Sequence, residues 1–451
     1  MNRLEIKLKQ HTPLIHFQHD QEGATLRASE VKPKLDRFVL TRLGQGNYQA
    51  GIAQAKTNGW LIGKGDHPAL NYKMRIEAVK VEKWCINEPQ AYTKKHEENG
   101  KDFVQLGNKR YLARMVKGRQ IISLKPYPLF FANMDADYCN PDEYRKFSFT
   151  DAPLVMKLTI ADNALYRYLL DADLLNDFFF QSNFGTRQSK GFGSFTIDKN
   201  DSLYKSRLSK YRFVLGDDEL QDTQTINDEY QKVFEYIDLF YKTLRGGINL
   251  KNRQGVTLFY FKSLAYQYAD EVLDAKWDKR KIKEEFYGIE KQSRQHTYDV
   301  KDMLGFSTNE MWLSYNKDSI VKTSATWDER EQRFREPRGQ EKPLVERMSS
   351  PILFKPIFDD DKLTYTVNLI FQDEKVNMQG FKDSRKVYIS SNKRHRSFGI
   401  EIPQEFSTDS FFDFIFNKLD IDIVSYVDEE YHDHEYFDML EDIYSQIKSN
   451  L

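Results

Sequence analysis

The chain has 451 residues, of which 40% are hydrophobic and 14% aromatic, so a globally disordered protein is excluded. Two cysteines cannot form a disulfide framework, and no stretch approaches the roughly 20 apolar residues of a transmembrane helix. The formal net charge of -1 is uneven: residues 401–451 hold 14 acidic and 2 basic side chains, which leaves 65 basic and 54 acidic ones in residues 1–400. A basic body with an acidic C-terminal part indicates either a polyanionic partner or two solvated surfaces of opposite sign.

The first part of the chain is predicted to alternate between strands and helices. Alternating Leu4, Ile6 and Leu8 predict a half-buried first strand that continues to Phe17. Mixed three-and-four spacing of apolar residues predicts a helix from about Thr25 to Leu43, whose Pro33 lies in the first turn or breaks the helix. The further predicted elements are strands at 72–84, 120–124, 153–160 and 194–197, and a helix at 163–180 with Asp162 as N-cap. This order suits a ferredoxin-like unit over residues 1–205, with an insertion near residues 85–150.

The second part of the chain is predicted to be helical first and mixed later. Aromatic residues at core spacing predict helices, and a charged stretch containing Pro and Gly predicts an exposed loop or hinge. In chain order, the prediction is helices at 227–245 and 258–285, a loop at 319–344, strands at 352–358 and 363–371, and helices at 409–419 and 429–447.

A glycine-rich loop after the helix at 163–180 carries the strongest local signal. Gly185, Gly191 and Gly193 allow tight turns and close approach of backbone N–H groups to a ligand, while Arg187 and Lys190 add charges suited to phosphates. The spacing is neither that of a Walker A loop nor that of a dinucleotide-binding GxGxxG motif. An ordinary glycine turn between helix and strand is the alternative.

Basic residues also cluster in three other places. Basic stretches interleaved with aromatic residues are typical of RNA-binding grooves, although each stretch alone also fits a solvated face. The clusters nominate Arg27 and Lys32 on the first helix, Lys109 and Arg110 in a stretch without acidic residues, and Arg394 near the last strands.

Catalytic and metal-binding patterns are weak. Nine scattered histidines supply no zinc or HD-hydrolase ligand set, so no metal and no cofactor are expected. His16 and His19, at the end of the predicted first strand, are candidates for the general acid or base of a metal-independent ribonuclease. The absence of an apolar leader at the N-terminus favours a cytoplasmic location.

Three segments, taken in order, resemble the RAMP superfamily of CRISPR proteins and, within it, the first subunit of the type III-B Cmr effector complex. They are Leu26-Arg27-Ala-Ser-Glu-Val31-Lys32, the glycine loop with Gly185, Arg187, Lys190, Gly191, Phe192, Gly193 and Ser194, and Arg347-Met-Ser-Ser-Pro351-Ile352-Leu353. Pro33, Asp36 and Ser189 depart from the usual family pattern and lower the local positive charge.

The resemblance implies an α+β protein with two ferredoxin-like (RRM-related) units, a helical insertion and an acidic helical C-terminus. Its implied domains are residues 1–205, a helical region at 206–345 with the charged loop, and a second, divergent ferredoxin-like part at 346–451. It further implies a non-catalytic subunit that binds the 3′ region of the guide RNA and its paired target, together with other Cmr subunits, in antiviral defence. The N–H groups of the three glycines would approach the RNA backbone, Arg187 and Lys190 would pair with phosphates, and Arg27 and Lys32 would add a second contact.

Two other functions stay open at this point. A Cas six-like endoribonuclease that processes CRISPR repeat RNA shares the glycine loop, but carries it close to the C-terminus, whereas here more than half of the chain follows it. A purely structural adaptor would use its acidic part to dock on a basic neighbour and would not touch RNA.

Overall fold

The fold is known from a computed structural model in which helices and strands are mixed along the chain, and this confirms the α+β class. The residues that it describes are 1–15, 25–63, 68–85, 92–98, 101–106, 109–116, 119–122, 146–220, 226–252, 254–288, 296–308, 311–313, 319–391, 393 and 395–451. The chain forms two compact units. Unit 1 comprises Met1–Ser209, Val214–Asp238 and Phe354–Asn368, and unit 2 comprises Lys210–Phe213, Leu239–Leu353 and Leu369–Leu451.

Up to residue 209, all elements belong to unit 1. The helices are α1 (Ala28–Leu43), α2 (Tyr48–Thr57), α3 (Asn163–Leu169) and α4 (Ala172–Phe180). The strands are β1 (Asn2–Gln10), β2 (Leu61–Ile62), β3 (Ala69–Leu70), β4 (Tyr72–Glu77), β5 (Glu82–Cys85), β6 (Tyr92–Glu98), β7 (Lys101–Leu106), β8 (Lys109–Val116), β9 (Arg119–Ile122), β10 (Lys146–Phe149), β11 (Leu154–Ile160) and β12 (Phe195–Ile197).

A four-stranded antiparallel sheet with the order β12-β1-β11-β4 is the centre of unit 1. Ile6 pairs with Met156, and Met156 pairs with Ile76, so the buried side chains of three strands line up on one face. That face packs against α1 and α4 through residues such as Leu35 and Phe178. β1 ends at Gln10 and does not continue through residues 11–15. Pro13 in this stretch has no N–H for a ladder hydrogen bond.

The helices of unit 1 follow the prediction with three differences. α1 runs unbroken through Pro33. The predicted helix at 163–180 is divided into α3 and α4, because Asp171 caps a second helix just as Asp162 caps the first. The confirmed cap accepts a hydrogen bond from the N–H of Leu165 at 2.7 Å. α2, which begins after the N-cap Asn47, has no counterpart among the predicted elements.

The predicted strand at 72–84 is two strands in different sheets. β4 is the edge strand of the central sheet, whereas β5 pairs with β10. β6 to β9 form a separate antiparallel sheet in sequence order, and β9 contains most of the predicted strand at 120–124. The predicted strands at 153–160 and 194–197 are confirmed as β11 and β12.

The remaining chain contributes the following elements. The helices are α5 (Asp217–Leu220), α6 (Ile226–Arg245), α7 (Leu264–Glu271), α8 (Asp278–Tyr287), α9 (Glu374–Asn377), α10 (Gln379–Asp383), α11 (Thr408–Asp413), α12 (Ile423–Tyr426) and α13 (Glu435–Ser449). The strands are β13 (Arg212–Leu215), β14 (Ile248–Lys251), β15 (Thr257–Phe261), β16 (Lys276–Trp277), β17 (Thr297–Tyr298), β18 (Phe306–Ser307), β19 (Met311–Leu313), β20 (Ser319–Ser324), β21 (Thr326–Asp328), β22 (Arg333–Arg335), β23 (Arg347–Met348), β24 (Ile352–Asp359), β25 (Thr364–Phe371), β26 (Lys386–Ser391) and β27 (Arg396–Glu401).

Two predictions for unit 2 are wrong. The segment 258–285 is not a continuous helix: it begins in β15, where Phe259 and Phe261 are buried and Leu258 and Tyr260 are exposed, the period-two pattern of a strand. The segment 319–344 is not an open loop, because β20 is part of the sheet β16-β17-β27-β26-β20-β19 and β21 pairs with β22. The short strands here cannot be recognised from the sequence, because the segment is charged and alternation within each strand spans only a few positions.

The domain limits at 205/206 and 345/346 stay predictions. The compact units place residues 354–368, which include most of β24 and part of β25, in unit 1. A segment late in the chain therefore contributes to the unit that carries the glycine loop. Among the described residues, no helix is long and apolar enough to cross a membrane.

Candidate nucleic-acid interface

The glycine loop of unit 1 connects α4 to β12 and is shaped by left-handed backbone conformations. Gly185, Gly191 and Gly193 have φ values of 78°, 89° and 64°, and Arg187 also has a positive φ of 58°. A Cβ on Gly193 would lie 2.0 Å from the carbonyl oxygen of Phe184, and a Cβ on Gly185 would lie 2.6 Å from that of Ile15. Glycine is therefore required at these positions by close packing of the loop on its own unit.

The N–H groups of the three glycines point to acceptors inside the protein. The hydrogen bonds run from Gly185 N to Glu30 Oε1 at 2.5 Å, from Gly191 N to Gln188 O at 3.4 Å and from Gly193 N to Pro13 O at 2.9 Å. Each of these donors thus has an acceptor within the protein. The expectation that the N–H groups approach the RNA backbone stays a prediction.

α1 is joined to the glycine loop by side chains one turn apart. Besides the bond from Gly185 to Glu30, the Nζ of Lys34 donates to the carbonyl oxygen of Asn183 at 2.9 Å and to Oε1 of Gln188 at 2.7 Å. The same Nζ lies 4.8 Å from the ring centre of Phe184. Burial lowers the pKa of Lys34, against the opposing charge of Glu30. The first two motifs of the sequence are thus one packed substructure.

β24 holds the other side of the loop. The fully buried Lys355 donates to the carbonyl oxygens of Ser182 and Phe195, both at 2.8 Å, and to Oδ1 of Asn183 at 3.2 Å. Asn183 in turn donates to the carbonyl oxygen of Phe354 at 2.8 Å. Residues 354–355 follow directly on the third motif, which ends at Leu353, so the late strand contributes to the site.

Lys355 is the buried amine below the loop. Three acceptors use all three N–H groups of the Lys355 ammonium, and no carboxylate lies within ion-pair distance of it in the part of the chain that the structure describes. Burial, and then the charge of Lys34, lowers the pKa of Lys355 well below its usual range.

His11, which is not among the predicted site residues, is a buried neutral histidine directly after β1. Its Nδ1 accepts the N–H of Phe358 at 3.0 Å, and its Nε2 lies 2.7 Å from the hydroxyl of Thr196. Burial, followed by the charges of Lys355 and Lys9, lowers the pKa of His11 well below 6.5. Both ring nitrogens are occupied, so this imidazole supports packing.

Sequence signals for the two missed residues do exist. Lys355 is the single charged residue in the otherwise apolar segment Ile352–Phe358, and a lone lysine there indicates a specific buried acceptor set. His11 follows directly after the alternating pattern of β1 and replaces an expected exposed charge.

The nominated cations of the loop and of α1 differ in accessibility. Arg187 is half-buried in the loop, and the Nζ of Lys190 is buried. Lys32 is tied down: its Nζ donates to Oδ2 of Asp36 at 2.6 Å and to the carbonyl oxygen of Leu70 at 3.0 Å. The ammonium of Lys32 therefore has internal acceptors in place of an RNA phosphate.

Arg27 is the N-cap residue of α1 and is half-buried, with extended backbone angles and no side-chain cap hydrogen bond. It directly precedes the first N–H groups of a long helix, where the helix dipole favours anions. The structure thus separates Arg27, at the end of the helix, from Lys32, which is fixed along its side.

Other nominated residues are only partly covered. Lys109 and Arg110 begin β8, whose backbone is described while its side chains are not. Arg394, His16 and His19 lie outside the described residues. Among the residues that are described, no group of three or more His, Cys, Asp or Glu side chains could hold a metal ion.

Comparisons with known proteins give a family match over most of the chain. Residues 1–248 match the model of the Cmr1 N-terminal domain, and residues 260–426 match that of the Cmr1 C-terminal domain. One solved structure that matches is a type III-B Cmr-beta complex bound to cognate target RNA and AMPPnP in the presence of ssDNA. That match has 11% identity and a TM-score of 0.33, and it covers 82% of this chain and 95% of the other. A TM-score this low does not establish a shared fold, so the family models carry the assignment. No curated protein matches the sequence.

Proposed function

The chain belongs to the Cmr1 family, and we propose that it is an RNA-binding subunit of a type III-B Cmr ribonucleoprotein complex in CRISPR antiviral defence. In this function it contacts the 3′ region of the guide RNA and its paired target, together with other Cmr subunits. Sequence is selected by base pairing between guide and target, while the protein holds the backbone.

One observation carries the proposal: segments that are far apart in the sequence of a Cmr1-family chain meet around the glycine loop of unit 1. Glu30 and Lys34 reach the loop from α1, and Lys355 reaches it from β24. The amines supply positive potential, and Arg187 supplies a guanidinium with the geometry for phosphate. Such a rigid and positive element fits a polyanionic backbone.

We also propose that unit 1 contains a ferredoxin-like, RRM-related domain. Its support is the strand order β12-β1-β11-β4, all antiparallel, with α1 after β1 and α3 and α4 before β12. In sequence order this is a βαββαβ unit with the fourth, first, third and second strands side by side. An equivalent second unit, with acidic helices at the end of the chain, remains part of the same proposal.

The subunit is proposed to bind RNA without cutting it, and to do so in the cytoplasm. The buried His11 supports this view, since both of its ring nitrogens are engaged in packing contacts. A metal-independent incubation with repeat RNA tests it. Specific cleavage that disappears in His16→Ala or His19→Ala would assign an endoribonuclease function instead.

The proposed interface is tested by changing Arg187 and Arg27 together to Ala in the reconstituted complex. We expect guide-RNA affinity to fall about tenfold and the slope of log K against log salt to decrease by about 0.7 for each lost single-strand phosphate contact. Arg167→Ala is the matched control, because Arg167 is an exposed arginine on α3 of the same unit. Unchanged affinity and slope in the folded double variant would contradict the interface.

A further inference from the structure

An open pocket of about 440 Å³ lies in unit 1 between the N-terminus of α1 and the edge strand β4. Most of the lining residues have apolar side chains, Leu26, Ile76 and Val79 among them, and polar atoms form about half of the wall. The polar groups come from Thr25, Arg27 and Arg75, and no carboxylate is among the described residues that line it. Apolar side chains with a few convergent polar groups are typical of small-ligand sites.

The first turn of α1 supplies unpaired donors at this pocket. α1 has 16 residues, and its N-cap Arg27 makes no side-chain cap hydrogen bond. Within the described part of the chain, the N–H groups of Ala28 and Ser29 have no acceptor. Such donors and the positive end of the helix dipole attract a phosphate.

Thr25 gives a second, independent indication of a ligand. The residue is 7% exposed, and its Oγ1 is buried without a hydrogen-bond partner in the described residues. A buried hydroxyl without a partner destabilises a fold, so an unpaired one beside a pocket indicates a group that is supplied from outside. Thr25 and Ala28, the first residue of α1, both line the pocket.

Arg75 brings a second guanidinium to the pocket from β4. Its side chain is 78% exposed, and its Nε pairs with Oε1 of Glu77 at 2.9 Å. The two terminal amino groups have no partner among the residues that the structure describes, so they can form a bidentate contact with a phosphate. Lys73, two residues earlier on the same strand, is also exposed but does not line the pocket.

We propose that this pocket binds one unpaired nucleotide. Its phosphate lies at the N-terminus of α1 between Arg27 and Arg75, and its base lies against the apolar side chains of the wall. The volume suits one nucleotide, so the base must be out of any duplex. That this nucleotide belongs to bound RNA rests on the proposed function, whereas a free mononucleotide would satisfy the same chemistry.

Two variants test the pocket without removing a charge. Thr25→Val removes only the hydroxyl, and Ala78→Phe fills the pocket from its β4 side. Each variant of the full chain is titrated with a single-stranded RNA hexanucleotide and with AMP, and its melting temperature is measured. Lys73→Ala is the matched control for the strand.

We expect Thr25→Val and Ala78→Phe to weaken hexanucleotide binding about tenfold. The melting temperature of Thr25→Val should be no lower than that of the parent protein. The hexanucleotide affinity of Lys73→Ala should be within about twofold of the parent affinity. Unchanged affinity in folded Thr25→Val and Ala78→Phe would overturn the pocket. If Arg187→Ala still weakened guide-RNA binding in that case, the proposed function would stand. AMP that bound as tightly as the hexanucleotide, and only to the intact pocket, would overturn the assignment to RNA.

Discussion

The glycine loop and the N-terminus of α1 lie in the same unit, and both combine backbone N–H groups with arginine. In the loop, the N–H groups of Gly185, Gly191 and Gly193 donate to protein acceptors. At the N-terminus of α1, those of Ala28 and Ser29 have no acceptor in the described part of the chain. Glycines in a basic loop can therefore serve packing, while the unpaired donors for an anion are found at the end of a helix.

The largest expected effect tests whether the loop is built for packing. Gly193→Ala would place a Cβ 2.0 Å from the carbonyl oxygen of Phe184, at a φ of 64°. Since neither atom belongs to a flexible side chain, we expect the free energy of unfolding to fall by about 3 kcal/mol or more. Urea unfolding followed by circular dichroism measures this change.

Gly46→Ala is the matched control for the backbone conformation. Gly46 has a φ of 92°, but a Cβ there would have nothing within 4 Å. The substitution should cost about 1 kcal/mol from backbone strain alone. Equal losses in the two variants would show that the packing of Gly193 contributes nothing, and would break the contrast between the loop and the helix end.

The sequence predicted several elements because their signals are local. β11 alternates over its whole length, and Asp162 caps α3 as expected. The division of the helix at 163–180 depends on a second cap, Asp171, inside a continuous apolar pattern, and periodicity alone cannot detect such an interruption. The short strands β21 and β22 were missed for another reason: with three residues each, they are too short to show alternation in a charged segment.

The site was predicted in part, since the sequence indicates which residues are basic but not where their charges are directed. The ammonium of Lys32 is used by Asp36, and Lys355 reaches the loop from a strand more than 150 residues later. Both facts depend on tertiary contacts that no local pattern contains. The charge difference between residues 1–400 and 401–451 is compatible with any of these arrangements.

The next-largest effect distinguishes Lys32, along the side of α1, from Arg27, at its N-terminus. Lys32→Met removes the cation from Asp36, whose side chain is 7% exposed, and should lower the free energy of unfolding by about 2 kcal/mol. Guide-RNA affinity should change less than twofold, because the ammonium is already engaged. Arg27→Ala, at the helix end, should weaken RNA binding more than it weakens the fold. A larger loss of affinity in folded Lys32→Met than in Arg27→Ala would place the RNA along the helix instead.

The smallest expected effect is a pH dependence of the free energy of unfolding that comes from His11. Burial, and then the charges of Lys355 and Lys9, lowers the pKa of His11 well below 6.5. Between the folded pKa and 6.5, the unfolded chain therefore binds more protons than the folded chain, so stability falls as pH decreases through this window and His11 contributes no further change below it. The slope should reach at most about 1.4 kcal/mol per pH unit.

His11→Asn keeps an acceptor for the N–H of Phe358 but does not titrate, so its unfolding free energy should decline less between pH 6.5 and 5. The same slope in both proteins would assign the acid sensitivity to other groups.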